Sequence, residues 1–78
     1  MEPIEVVVRF NENGELTPLN FTWNLQSYQL VSTGRQWVAE DGRHILVMSA
    51  AERVFELLFN TLEGRWYLKE TGAGQKMA

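Results

Sequence analysis

The chain reads as all-β: a small antiparallel barrel or rolled sheet of six to seven short strands with hairpin connections. Three observations predict this. Seven short apolar runs recur along it: Val6-Val7-Val8, Phe21-Thr22-Trp23, residues 28–31, Trp37-Val38, residues 45–48, residues 54–59 and residues 66–68. Turn-forming residues separate them about every ten positions, among them Asn13-Gly14, Gly34, Asp41-Gly42 and Glu63-Gly64, and such spacing marks a sandwich or barrel. Several runs also alternate apolar and polar residues with a period of two, the repeat of a half-buried strand.

The first strand is predicted over residues 4–10, with Ile4, Val6, Val8 and Phe10 on one face and Glu5, Val7 and Arg9 on the other. Asn11-Glu12-Asn13-Gly14 follows as a hairpin turn, because Asn-Gly tolerates positive φ. The second strand starts after Pro18, which lacks an N–H and suits a strand's beginning. There Leu19, Phe21 and Trp23 alternate with Asn20, Thr22 and Asn24, the cleanest period-two signal in the chain.

Residues 24–27 form a polar link into a third strand, in which Tyr28 and Leu30 point inward and which Ser32-Thr33-Gly34 breaks. Residues 37–40 make a short fourth strand, and Asp41-Gly42 turns it into residues 44–48. Because Ile45, Leu46, Val47 and Met48 are apolar on both faces, this strand is expected to be central. Residues 49–62 have two readings. Ser49 and Glu52 fit a helical capping box, with Val54, Leu57, Leu58 and Leu62 as one stripe. As a strand, Phe55, Leu57 and Phe59 share a face. Local pattern leans to the helix and the rhythm of the whole chain to the strand. Glu63-Gly64 then leads to a last strand, residues 65–71, where Trp66 and Leu68 oppose Tyr67 and Lys69. Residues 1–71 are read as one β domain and residues 72–78, with two glycines and no apolar period, as a flexible C-terminal tail.

Seventy-eight residues hold one core, and a chain of this size buries only about 60% of its unfolded surface. It has no cysteine, so neither disulfides nor thiolate metal sites can staple it. Aromatic residues, 12% of the chain, must supply the dense packing. The expected core is Val6, Val8, Phe10, Phe21, Trp23, Tyr28, Leu30, Trp37, Leu46, Phe55, Leu57 and Trp66. No apolar run approaches the ~18 residues of a membrane span, and the acidic N-terminus is unlike a signal peptide. With the absence of cysteine, this makes a cytoplasmic location the expectation. A net charge of −3 and seven scattered Lys and Arg disfavour nucleic acid without excluding a local basic patch.

The sequence offers little catalytic chemistry. A nucleophile needs a base oriented by a third group. The one imidazole, His44, is expected to be a surface or half-buried residue, and Asp41 stands too close in sequence to suggest a relay from a separate element. One His and no Cys leave only carboxylates for a metal, and Glu12, Glu15, Glu40 and Asp41 lack calcium-loop spacing. Gly72-Ala73-Gly74 precedes no helix that could bind a phosphate. No catalytic residue, metal or cofactor is therefore predicted, and the chain is expected not to be an enzyme.

The candidate interaction surface is Arg35, Trp37, Arg43, Arg65 and Tyr67, which mix stacking faces with cationic forks. Trp66 and Tyr67 are adjacent on a strand, so only one of them can face the core unless both sheet faces are covered.

Phe21-Thr22-Trp23, Tyr28-Gln29-Leu30-Val31, Trp37, Val54-Phe55-Glu56-Leu57 and Gly64-Arg65-Trp66-Tyr67-Leu68 carry a resemblance. Over residues 4–71 the chain resembles a family of small uncharacterised bacterial all-β proteins often encoded beside genes for error-prone, translesion DNA polymerases. The resemblance implies a strand over residues 54–59 and no catalytic residues. The chain departs from it at Asn24-Leu25-Gln26-Ser27, where family members usually carry arginines around a turn. Any nucleic-acid contact built on that turn is therefore in doubt.

The functional expectation is a non-catalytic, protein-binding accessory module, linked through the resemblance to DNA repair or translesion synthesis. The alternatives are a small barrel binding single-stranded nucleic acid through Trp37, Arg35, Arg43 and Tyr67, and a ligand-binding barrel or enzyme with an open interior. An edge strand could also pair two copies into a homodimer. No membrane partner is expected.

Overall fold

A computed structural model describes residues 2–71, with side chains described through Lys69. Six strands follow in chain order: β1 (Glu2–Phe10), β2 (Leu16–Trp23), β3 (Gln26–Ala39), β4 (Gly42–Ser49), β5 (Val54–Asn60) and β6 (Arg65–Thr71). Each is antiparallel to the next, and β6 returns to β1, so the sheet closes into a barrel.

Two strands belong to both walls of the barrel. β1 pairs β6 through Glu2, Pro3 and Ile4, then β2 from Glu5 to Phe10. β3 pairs β2 through Gln26, Ser27, Tyr28 and Gln29, then β4 from Leu30 to Ala39. The result is a narrow wall of β1, β2 and the start of β3, facing a wide wall of β3 to β6.

Short polar side chains make the turns. Asn11 Oδ1 accepts the backbone N–H groups of Asn13 and Glu15, both at 2.9 Å. Asn60 Oδ1 does the same for Leu62 at 3.0 Å and Glu63 at 2.9 Å. Each side chain thereby satisfies donors that the ladder leaves behind. The β2–β3 loop is the two-residue pair Asn24 and Leu25, at φ 55° and 65°. Two positive φ values match the twist of a tight hairpin. Between β4 and β5, Ser49 accepts the Glu52 N–H at its carbonyl (2.9 Å) and the Arg53 N–H at its hydroxyl (3.3 Å). The Ser49 cap thus serves a turn, and residues 54–60 are strand, as the chain's rhythm and the resemblance implied.

The barrel axis is filled. Phe21, Ile45, Val47, Phe55 and Leu57 are buried together with Leu16 and Leu68, and Ile4, Val6, Val8, Trp23, Tyr28, Leu30 and Trp66 pack against them. Phe21 stacks on Tyr28 at 5.0 Å and meets Phe55 edge-on at 5.0 Å, and Tyr28 meets Phe55 at 5.4 Å. Aromatic pairs of this geometry contribute about 0.5–1.5 kcal/mol each beyond burial.

The structure corrects the sequence reading in five places. The third and fourth strands are one 14-residue β3, which Ser32-Thr33-Gly34 bends rather than breaks. Register shifts between Leu30 and Ser32 and between Thr33 and Gln36 turn it from one wall into the other. In β2, Leu19 is an extra residue between the pairs Val7–Asn20 and Val8–Pro18, so it is exposed while Leu16 and Pro18 are buried. Phe10 is 63% exposed at the open end of β1 rather than in the core. In β4 the phase is reversed: Ile45 and Val47 face the core, Leu46 lies half-buried on the other side, and Trp37 stands outside the core on β3. The expected tail, residues 72–78, lies outside the described residues.

Candidate interaction surface

Alternation places a second row of side chains behind the core. Because Ile45, Leu57 and Leu68 point inward, their neighbours His44, Leu58 and Tyr67 point outward. Register aligns them with Trp37 across four strands: Trp37 pairs with His44, His44 with Leu58, and Leu58 with Tyr67. His44 is only 4% exposed and Leu58 0%, although both sit on the outer side of the sheet.

His44 organises the row. Its Nε2 lies 2.7 Å from Asp41 Oδ1 and its Nδ1 2.8 Å from Glu56 Oε2. Both carboxylates are satisfied at once only if both ring nitrogens carry protons. Burial is the largest single influence on His44 and opposes its charge. The hydrogen bonds to Asp41 and Glu56, and the charges behind them, outweigh burial and raise the pKa above the ordinary 6.5. Asp41 is held below its ordinary 3.8, first by the hydrogen bond from His44. The Trp37 indole stacks on the imidazole at 5.2 Å with a 9° interplanar angle, and the Arg35 guanidinium lies over the same indole at 5.2 Å.

At the far end of the row the Tyr67 hydroxyl donates to Glu63 Oε1. That bond is the main cause of a raised Tyr67 pKa, which Arg65 opposes. Arg65 pairs with Asn60 and Tyr67 with Leu58, on the same outer side.

Four of the five sequence-predicted surface residues thus share the outer face of the wide wall: Arg35 and Trp37 at one end of the row, Arg65 and Tyr67 at the other. Arg43 is the exception. It follows Gly42 and precedes His44, so it lies on the opposite side of β4, paired with Val38 and Phe59. Of the adjacent pair, Trp66 packs on the core and Tyr67 faces outward. Sequence reasoning made His44 a surface or half-buried residue, which its burial behind Trp37 and Leu58 corrects; it set Asp41 aside and missed Glu56 altogether. The Asp41 spacing was a usable signal, because a three-residue step across a tight turn brings the two side chains together. Glu56 is twelve residues away, and only the β4–β5 register brings it to His44.

This cluster ties β4 to β5 through Glu56 and to the β3–β4 turn through Asp41. Neither ring nitrogen is free to accept a proton from a substrate. Asp41 and Glu56 approach opposite nitrogens, so the three groups do not face a common point. Among the described residues, no group of three or more His, Cys, Asp and Glu side chains could hold a metal.

A second feature lies where the walls part. The β2–β3 ladder ends at the pair Asn20–Gln29, yet β2 begins at Leu16 and β3 runs to Ala39. Beyond that pair the strands diverge around a cleft of about 430 Å³, with Glu15, Leu16 and Thr17 on one lip, Thr33, Gly34 and Gln36 on the other, and Arg43 beside them. Gly34 also borders a small apolar notch of about 140 Å³ formed by Leu46, Met48 and Val54.

Among the described residues, no helix is long and apolar enough to cross a membrane. Comparison of the chain with protein-family models, curated proteins and solved structures finds no match.

Proposed function

We propose that this chain is a non-catalytic interaction module that binds another protein through the β3 side of the wide wall. The observation that carries the reading is the Arg35–Trp37 pair, a cationic fork over an indole on the outer surface beside the cleft. Trp and Arg side chains in such settings dominate protein-binding energy. The filled barrel axis supports an external site over an internal ligand, because small barrels plugged by side chains leave no chamber. The double engagement of His44 supports a structural role for the one imidazole.

Single-stranded nucleic acid is the weaker reading. It asks for Trp37, Arg35, Arg43 and Tyr67 on one positive face. Arg43 lies on the other side of its strand, and Asp41, Glu56 and Glu63 are interleaved with the remaining cations. The family resemblance directs the search for a partner toward proteins of DNA repair and translesion synthesis.

The test is quantitative capture from a bacterial lysate with wild-type protein, Trp37→Ala and Arg35→Glu, each checked for retained folding. A partner held by wild type and lost by both variants supports the reading; equal capture by all three sinks it. A titration with labelled single-stranded DNA addresses the alternative. Salt-sensitive binding with tryptophan quenching would put nucleic acid first.

A further inference from the structure

We propose that the binding mode is strand addition: an extended segment of a partner protein pairs with the free edge of β3 along residues 34–39 and seats an apolar side chain over Gly34. The proposal rests on the protein-binding reading above and specifies its geometry.

The backbone supplies the first argument. β3 pairs with β4 on one side as far as Ala39, but its β2-facing side has a partner only through Gln29. Among the described residues, no strand pairs with that side of residues 32–39. From Gln36 to Ala39 the strand runs in unbroken register against β4, so its outward N–H and C=O groups keep regular ladder spacing. An edge of this kind is a template for another chain unless something blunts it. The facing lip is blunted: Pro18 of β2 lacks an N–H and is itself buried. Residues 34–39 contain no proline, and the irregularity between Thr33 and Gln36 touches only their first two positions.

The cleft also limits what can enter. Glu15, Leu16 and Thr17 face Thr33, Gly34 and Gln36 across it, so a chain that pairs with the β3 edge must lie in the cleft. A second copy of this barrel would have to bring its own β3 edge out of an identical recess.

Side chains then set the chemistry of the segment. Gly34 has no side chain between the free edge and the notch of Leu46, Met48 and Val54, so an aliphatic side chain on the added strand can lean across it. Arg43 borders the cleft, Arg35 lies between Gly34 and Gln36, and Arg9 pairs with the cleft residue Thr17. Among the described residues, the one carboxylate lining the cleft, Glu15, accepts a hydrogen bond from Asn11 Nδ2 at 2.7 Å and is outnumbered by these arginines. An extended segment alternating aliphatic and acidic residues matches this surface.

The experiment selects binders from a displayed library of random ten-residue peptides and titrates the enriched sequence, made synthetically, into the isotope-labelled full chain. Strand addition is supported by an aliphatic–acidic consensus, amide shifts and slowed exchange at residues 34–39, and loss of binding when alternate peptide nitrogens are methylated. Gly34→Val should weaken binding at least tenfold while leaving the fold intact. A Cβ added at Gly34 would meet nothing closer than the Leu46 carbonyl oxygen at 3.7 Å, and β-branched residues suit strands.

Shifts confined to Trp37, His44 and Tyr67, or full affinity for the methylated peptide, would overturn strand addition and leave the protein-binding reading standing. Concentration-dependent dimers of the free chain with protected residues 34–39 would assign the edge to a second copy and overturn the proposal. No enriched sequence at all would count against both.

Discussion

On β1 the outward residues Glu5, Val7 and Arg9 meet solvent, as outward residues of a half-buried strand should. On β4 and β5 the outward residues His44 and Leu58 are as buried as the core itself. The two walls share a core but differ in depth. The narrow wall is one side chain thick, whereas the wide wall carries a second layer in which Trp37 and Tyr67 flank His44 and Leu58. The difference shows that an outward position is not a polar position by default. Large side chains in register on neighbouring strands can cover one another and make a second small core. In this chain the second layer also fixes the strands that carry the proposed binding edge.

The hairpin glycines break the comparison most severely. Gly14 turns the narrow wall at φ +81°, where an added Cβ would meet nothing within 4 Å, whereas Gly42, at φ +135°, begins β4 against β5. An added Cβ at Gly42 would lie 2.1 Å from the Phe59 carbonyl oxygen and 3.0 Å from Asn60 Cα. Gly42→Ala must therefore push the β4–β5 ladder apart, and the expected outcome is loss of the cooperative thermal transition. Gly14→Ala should cost only the left-handed backbone penalty of about 1–2 kcal/mol. Similar melting curves for the two variants would show that the wide wall is not tightly closed at this turn.

Large-to-small substitutions on the outer faces come next. Leu58→Ala should lose about 2–5 kcal/mol in urea denaturation, as for a core leucine. Val7→Ala, on the outer face of the narrow wall, should stay within about 0.5 kcal/mol. A small loss at Leu58 would remove the second layer as a source of stability.

The charges of the wide wall give a smaller effect with a defined pH window. His44 has a raised pKa, so its contribution is complete below 6.5 and fades as pH rises through the raised value. Asp41 has a lowered pKa, so its contribution is complete above 3.8 and fades as pH falls through the lowered value. Stability from the pair should be fullest between 3.8 and 6.5. His44→Gln retains polar atoms without the charge and should flatten the decline above pH 6.5, measured as the melting temperature against pH. An unchanged decline would assign it to other groups.

The smallest effect has the opposite sign. Leu25 is fully exposed at φ 65° in the β2–β3 hairpin, a conformation that costs a leucine but not a glycine. Leu25→Gly should stabilise the narrow wall by about 1 kcal/mol. A destabilised variant would mean that Leu25 makes a contact worth more than its backbone strain.

Turn chemistry was legible because it is local. Asn11, Gly14, Asp41, Gly42 and Gly64 announced hairpins, and the apolar runs between them became strands. The strand over residues 54–60 was harder, since Ser49 and Glu52 make the same local pattern for a helix cap and a hairpin turn. The outward-facing pair also illustrates the limit. Tyr67 was legible as the outward member of its pair, whereas Trp37 was counted both as core and as surface, and Arg43, grouped with them by composition, lies across the strand because each step along a strand reverses the side.

Short-range information in the chain therefore settles the all-β class, most of the turns and the supply of core aromatics, since φ preferences and period-two alternation act within a few residues. The remaining features belong to the closed barrel. The bulge at Leu19, the inward phase of Ile45 and Val47, the union of two runs into β3 and the meeting of His44 with Glu56 all follow from register between strands. A shift of one residue in register exchanges the two faces of a strand, and its cost appears only when neighbouring strands pack around it.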